Sequence, residues 1–199
     1  VVSPPAGHRF SSVKRSPAQT RVLDAALKLI ADHGVGGTSL QMIADAVGVT
    51  KAAVYHQFNT KEQIVIALTE RELGDLEEAL EAAEAEDHPP RARELLLDRV
   101  IDLAVERRGA ASTLQFDPVI VRLLGEQEPF QQFIERLYRV LVGDAGDDSQ
   151  VLAAMMSGAI AVGVVHPLVG GIDDETLRCQ LRRITRRLIH AAEIGVAAD

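Results

Sequence analysis

Residues Thr38–Lys61, TSLQMIADAVGVTKAAVYHQFNTK, read as two short helices joined by a tight turn. Thr38 with Gln41 three positions on has the form of a capping box, which predicts a helix start there. Leu40, Ile43, Ala44 and Val47 then follow at the spacing of one buried helix face. Gly48 falls where the chain must turn, a position suited to left-handed backbone, and Val49 is expected to bury itself in the corner. Thr50 supplies a hydroxyl to cap the next helix. In that helix Val54 and Phe58, four apart, face inward and leave Lys51, Ala52, Tyr55 and His56 facing outward. Small residues beside polar ones permit close approach to base edges, the arrangement of a helix that reads DNA. Thr60 with Gln63 forms a second capping box and starts another helix almost at once. Lys61 falls in its first turn, where the helix dipole disfavours a cation, so a phosphate oxygen is the expected partner.

Working outward, TRVLDAALKLIADHG (residues 20–34) places Leu23, Ala26, Leu27 and Ile30 on one stripe and ends on Gly34, suited to the C′ position. Together with GGTSLQMIADAVGVTKAAVYHQFNTKEQI (residues 36–64), this stretch resembles the DNA-binding domain of the TetR (tetracycline repressor) family of bacterial regulators. The capped Thr, the Ile-Ala pair, the Gly-Val corner, the Val-Tyr-His-x-Phe run and the Lys-Glu pair fall in family order over roughly Ser16 to Leu76. The resemblance implies an all-α fold, with an N-terminal three-helix helix-turn-helix domain and a C-terminal helical domain for effector binding and dimerisation. It implies phosphate contacts from Thr38, Tyr55 and Lys61, and contacts to base edges or nearby backbone from Gln41, Lys51, Ala52 and His56. Ser39 and Thr50 complete the expected DNA-binding set, Thr50 being first a cap. Lys51 departs from the small residue or Pro common at its place in the family.

Three regions are expected: a flexible basic arm over 1–15, the DNA-binding domain over 16–76, and the effector and dimerisation domain over 77–199. Arg9, Lys14 and Arg15 of the arm are candidates for phosphate or minor-groove contact. Through Ala67 the chain has seven Lys or Arg against four acids, whereas the whole carries a net charge of −8, so the remainder is strongly acidic. Basic groups gathered on one face suffice for DNA binding, and acidic groups keep the other face off the duplex.

Beyond residue 76 no period-two strand pattern occurs. Helices are expected over about 60–85, 91–108, 118–124, 128–142 and 174–194, with Leu73, Leu76 and Leu80 as a stripe in the first and Leu95, Leu96, Ile101, Leu103 and Ala104 available for packing in the second. Val151–Val165 is uncharged but shorter than the roughly 20 residues needed to span a bilayer, so it is expected inside protein. Ala154 and Gly158, four apart, admit a close helix neighbour. With the stripe Leu177, Leu181, Ile184, Leu188 and Ile189 they predict a four-helix dimer interface. Phe116, Leu123, Phe130, Phe133, Leu137, Tyr138, Met155, Met156 and His166 are the expected lining of an effector pocket, because they combine apolar bulk with a few polar tips.

One cysteine excludes an internal disulfide, and no signal sequence opens the chain, which favours the cytoplasm. No nucleophile elbow, phosphate-cradling Gly loop or HExxH spacing is present, so no enzyme, metal or cofactor is expected. The expected function is a sequence-specific transcriptional regulator, most simply a repressor. Its expected partners are double-stranded operator DNA, a second copy of itself, and a small apolar or amphipathic effector, with no membrane. The alternative is an interaction protein that keeps the fold without binding DNA.

Overall fold

The computed structural model describes Phe10 and residues 13–108, 116–143 and 147–196, with backbone alone over 147–149 and 192–196. Its regular elements are all helical: α1 (Pro17–Gly37), α2 (Leu40–Val47), α3 (Lys51–Gln57), α4 (Lys61–Glu84), α5 (Pro89–Glu106), α6 (Pro118–Gly125), α7 (Glu128–Val142), α8 (Asp147–Val165) and α9 (Asp174–Val196), with a 3-10 turn at Pro167–Val169. No helix among the described residues is long and apolar enough to cross a membrane.

The chain divides into two compact units, one from Val1–Glu77 with Thr113–Gln132, the other from Glu78–Ser112 with Phe133–Asp199. In the first, α1 starts at a capping box in which the Ser16 hydroxyl accepts from the Gln19 N–H and the Gln19 side chain accepts from the Ser16 N–H, with Pro17 at the first helical position. The core joins Val22, Leu23, Ala26 and Ile30 of α1 to Ile43 and Ala44 of α2, Val54 of α3, and Ile64 and Leu68 of α4. Ile120 and Leu123 of α6 belong to the same core. A sequence division at residue 76 placed α6 with the C-terminal region. It instead packs on α1, a pairing that no local periodicity could disclose.

Of the arm expected over 1–15, only Phe10 and residues 13–15 lie within the described residues. Phe10 is buried and stacks on Phe130, their ring centroids 4.8 Å apart. Arg15, expected to reach for phosphate, is paired with Glu70 at 2.6 Å and largely enclosed. Lys14 is exposed, and Arg9 lies outside the described residues.

In the second unit, α5 buries Leu96, Leu97, Ile101, Leu103, Ala104 and Val105 but leaves Leu95 exposed. In α4 the stripe settles on Leu80 and Ala83, with Leu73 and Leu76 only partly buried. The uncharged run becomes α8. Its close approach to α9 falls at Gly163, where an added Cβ would lie 3.3 Å from Leu181 Cδ2, whereas a Cβ at Gly158 would meet nothing. Along α9 the predicted stripe splits: Leu177 and Ile189 turn inward, Leu181 is intermediate, and Ile184 and Leu188 are about half exposed.

Candidate nucleic-acid interface

The interface is built around the corner from α1 to α2. Helical backbone breaks at Gly34, which takes φ 70° and ψ 169°, a conformation that side-chain-bearing residues rarely adopt. Thr38 then closes the corner: its N–H donates to the Val35 carbonyl and its hydroxyl to the Gly34 carbonyl at 2.8 Å. The cap of α2 is Ser39, whose hydroxyl accepts from the Met42 N–H at 3.2 Å. Thr38 is therefore not half of a capping box. At 2% exposure, with its hydroxyl donated inward, it does not present itself as a phosphate contact. A one-residue shift between adjacent Thr and Ser, both good caps, is below the resolution of the cap pattern.

From α2 to α3 the reading holds. Gly48 adopts the left-handed conformation (φ 77°, ψ 36°) and donates its N–H to the Ala44 and Asp45 carbonyls. Thr50 accepts from the Ala53 N–H at 3.2 Å. Val54 and Phe58 are buried, while Lys51, Ala52, Tyr55 and His56 are exposed, Tyr55 by 50%. Val49 departs from expectation: it lies at the surface, because the turn is closed by its own N–H donating to Ala44 rather than by its side chain. Gln41 is exposed and donates to Asp45 Oδ1 at 2.7 Å, a pairing that holds its amide on the outer face of α2.

Lys61 has a different partner from the one expected. Its Nζ donates to the Val35 carbonyl at 2.7 Å and to the Thr38 carbonyl at 3.0 Å. These carbonyls lie at the C-terminal end of α1, where a cation is favoured by the dipole. A residue misplaced for its own helix is thus well placed for a neighbour's end, and it pins the corner from which α2 departs. Nearby, the Thr60 hydroxyl accepts from the Gln63 N–H, and the Gln63 amide oxygen accepts from Asn59, so the second capping box closes one residue early. Hydrogen bonding from its own N–H and from the Thr60 hydroxyl holds the Glu62 carboxyl below its ordinary pKa.

Asp117 completes the support and was not foreseen. One carboxylate oxygen accepts from the Val35 N–H at 2.8 Å, and the other caps α6 through the N–H groups of Val119 (2.9 Å) and Ile120 (3.3 Å). Asp before Pro118 signals a helix start in sequence; the bond to Val35 does not.

The residues expected to line an effector pocket are divided between the two units. Leu123 and Phe130 are buried in the first unit, Phe133, Leu137 and Met156 in the second, and Phe116 and Met155 are exposed. Tyr138 donates to the Ser157 hydroxyl at 3.3 Å, and His166 Nδ1 accepts from the Leu168 N–H at the start of the 3-10 turn. An open cleft of about 770 Å³ lies elsewhere in the second unit, between the start of α5 and α9, and contains none of the nine. Among the described residues no group of three His, Cys, Asp or Glu side chains is placed to hold a metal ion.

Comparison with known proteins agrees with this geometry. The model of the family described as bacterial regulatory proteins, tetR family, matches residues 22–68. The chain is 35% identical over 100 residues to the HTH-type transcriptional regulator AcrR of Shigella flexneri, a match covering 48% of this chain and 46% of that one. It is 37% identical over 89 residues to the HTH-type transcriptional regulator BetI of Rhizobium meliloti (strain 1021), covering 44% of each. The chain thus spans slightly less than half the length of these relatives. The fold is that of a TetR-like transcriptional regulator from Rhodococcus sp. RHA1, with a TM-score of 0.67 at 21% identity over 94% of this chain and 100% of that one.

Proposed function

We propose that this chain, whose residues 22–68 match the tetR family of bacterial regulatory proteins, is a sequence-specific, DNA-binding transcriptional regulator of the cytoplasm, without catalytic activity. The observation that carries this reading is the outer face of α3, where Lys51, Ala52, Tyr55 and His56 are exposed on a helix fixed from behind by Val54 and Phe58. Such a face suits major-groove entry, with Tyr55 on a phosphate and Lys51 and His56 toward base edges. Thr38 and Lys61 serve it indirectly, by holding the α1–α2 corner.

The regulator acts as a homodimer. Val151, Met155 and Val162 on α8 are exposed at helical spacing, with Ile184 and Leu188 on α9, aliphatic side chains that a second copy of the chain would cover. Two reading heads then require a near-palindromic operator with half-sites about 34–36 Å apart or a multiple of that. A small-molecule effector that binds one head spacing better than the other releases or recruits the protein, with a coupling of about 1–3 kcal/mol. Repression is the simplest output.

Fluorescence anisotropy of the full chain on DNA upstream of its own gene, against random DNA across a salt series, tests the reading. Tight, salt-sensitive binding to one fragment is the expected result. No binding to any DNA at low salt would instead favour an interaction protein on the same fold.

A further inference from the structure

The helix that leads into α3 carries an exposed acid. Asp45 stands on α2 and accepts a hydrogen bond from Gln41 Nε2 at 2.7 Å. The two residues are four apart, the spacing at which side chains on one helix surface meet, and a pair of this kind stabilises its helix only slightly. A carboxylate on a reading head also opposes the approach of a phosphate backbone, so DNA affinity gives it no reason to be there. Its effect on the neighbouring amide is more specific.

A carboxylate carries only acceptors, whereas an amide has one accepting and one donating end. Asp45 can therefore hold only the nitrogen end of Gln41, and the orientation of the amide follows from chemistry. One amide hydrogen goes to Asp45, which leaves the second hydrogen and the carbonyl oxygen. The backbone beneath is fixed as well. Ser39 caps α2 through the Met42 N–H at 3.2 Å, and Lys61 Nζ holds the Thr38 carbonyl at 3.0 Å, so the turn that bears Gln41 is held at its cap and at the corner before it. With helix and side chain both set in advance, binding costs less side-chain freedom. A wrongly matched base meets an amide that turns only by breaking its bond to Asp45, which is a device for specificity.

We propose that Asp45 is a positioning residue for operator recognition: it presents the carbonyl oxygen of Gln41 as an acceptor for an exocyclic base amine in the major groove. The groove offers that donor from adenine N6 or cytosine N4, and adenine adds N7 as an acceptor for the second amide hydrogen. A phosphate oxygen only accepts, so the presented oxygen selects a base edge over the backbone. The inference deepens the DNA-binding function proposed above and rests on it.

Selection from a pool of randomised duplexes by the full chain, followed by fluorescence anisotropy on the selected operator, tests it. Gln41→Ala identifies the base pair that Gln41 reads, as the one whose preference it erases. At that pair, removing the amine, with purine in place of adenine or 2-pyrimidinone in place of cytosine, should cost the parent about tenfold in affinity, the loss of one hydrogen bond. Exchanging adenine for guanine, or cytosine for thymine, puts a carbonyl oxygen where the amine stood and should also cost about tenfold. Asp45→Asn keeps the shape of the side chain but can donate as well as accept, so the Gln41 amide is free to turn and the cost of that exchange should fall below about threefold. Loss of the charge raises affinity for all duplexes alike, and the ratio between two operators cancels it. The thermal midpoint of Asp45→Asn should stay close to the parent's, which separates a changed preference from a loosened fold. The inference is overturned if Gln41→Ala erases no preference, if removal of the amine leaves parent affinity unchanged, or if the exchange costs Asp45→Asn as much as the parent. A parent that selects no sequence at all sinks the regulatory reading with it, whereas one that binds its operator but is indifferent to the amine loses only the role of Asp45.

Discussion

Two side chains on the reading head are expected to behave differently when changed. Tyr55 is half exposed on α3, and Tyr55→Phe removes a hydroxyl without touching the core. Its DNA affinity should fall about tenfold on operator and random DNA alike, with the same salt slope, since a neutral hydrogen bond to phosphate is lost. Lys61 holds two carbonyls of the α1–α2 corner. Lys61→Met should lower the thermal midpoint and weaken operator binding while leaving the salt slope unchanged; a slope smaller by about 0.9 would instead reveal a direct phosphate contact. Lys61 also shows where reading a sequence falls short at this scale. Its conflict with the dipole of α4 was legible, and so was the need for an acceptor, but which acceptor depends on residues 23 and 26 positions away.

Among the helices, α6 carries the least foreseen contact. Asp117 both caps α6 and accepts from Val35, so Asp117→Ala removes a cap and leaves a partly buried N–H unpaired. A loss of about 1–3 kcal/mol is expected in denaturant unfolding of the full chain. Operator affinity should fall as well, because the corner that launches α2 is loosened; unchanged unfolding would show that α6 is held by its apolar contacts alone. At the start of α9, Asp173 accepts from the Thr176 N–H at 2.9 Å, and that bond, with the Thr176 hydroxyl, lowers its carboxyl pKa from an ordinary 3.8. A carboxyl whose folded pKa is depressed stabilises the fold fully above its unfolded value and loses that contribution as pH falls through the folded one. Asp173→Asn keeps a good cap but no charge. Its deficit in thermal midpoint should therefore be present at neutral pH and close as pH falls below 3.8; a deficit constant with pH would show that the charge is not what matters.

For the whole molecule, the exposed aliphatic positions of α8 and α9 make assembly testable. Leu188→Glu, at a position 46% exposed, should leave the subunit folded but shift it from dimer to monomer in sedimentation velocity, and weaken operator binding through loss of the second head. A mass equal to the parent's would place the interface elsewhere. Much of this architecture is determined by sequence alone. Capping residues, the 3.6-residue apolar period and the glycine at the turn act within a few positions of one another, so α2, α3 and the outward side of α3 follow from local chemistry. The positive φ at Gly34 and Gly48 belongs to the same class. Contacts between distant segments are decided by the fold. Apolar residues such as Leu123 and Phe130 have the same composition whether they fill a core or line a cavity, and only packing tells which. The enclosure of Arg15 by Glu70, the bond from Val35 to Asp117, and the ion pair of Arg186 with Glu94 each join residues more than fifty positions apart. Charge and hydrogen bonding act through space rather than along the chain, so tertiary structure alone could choose those partners.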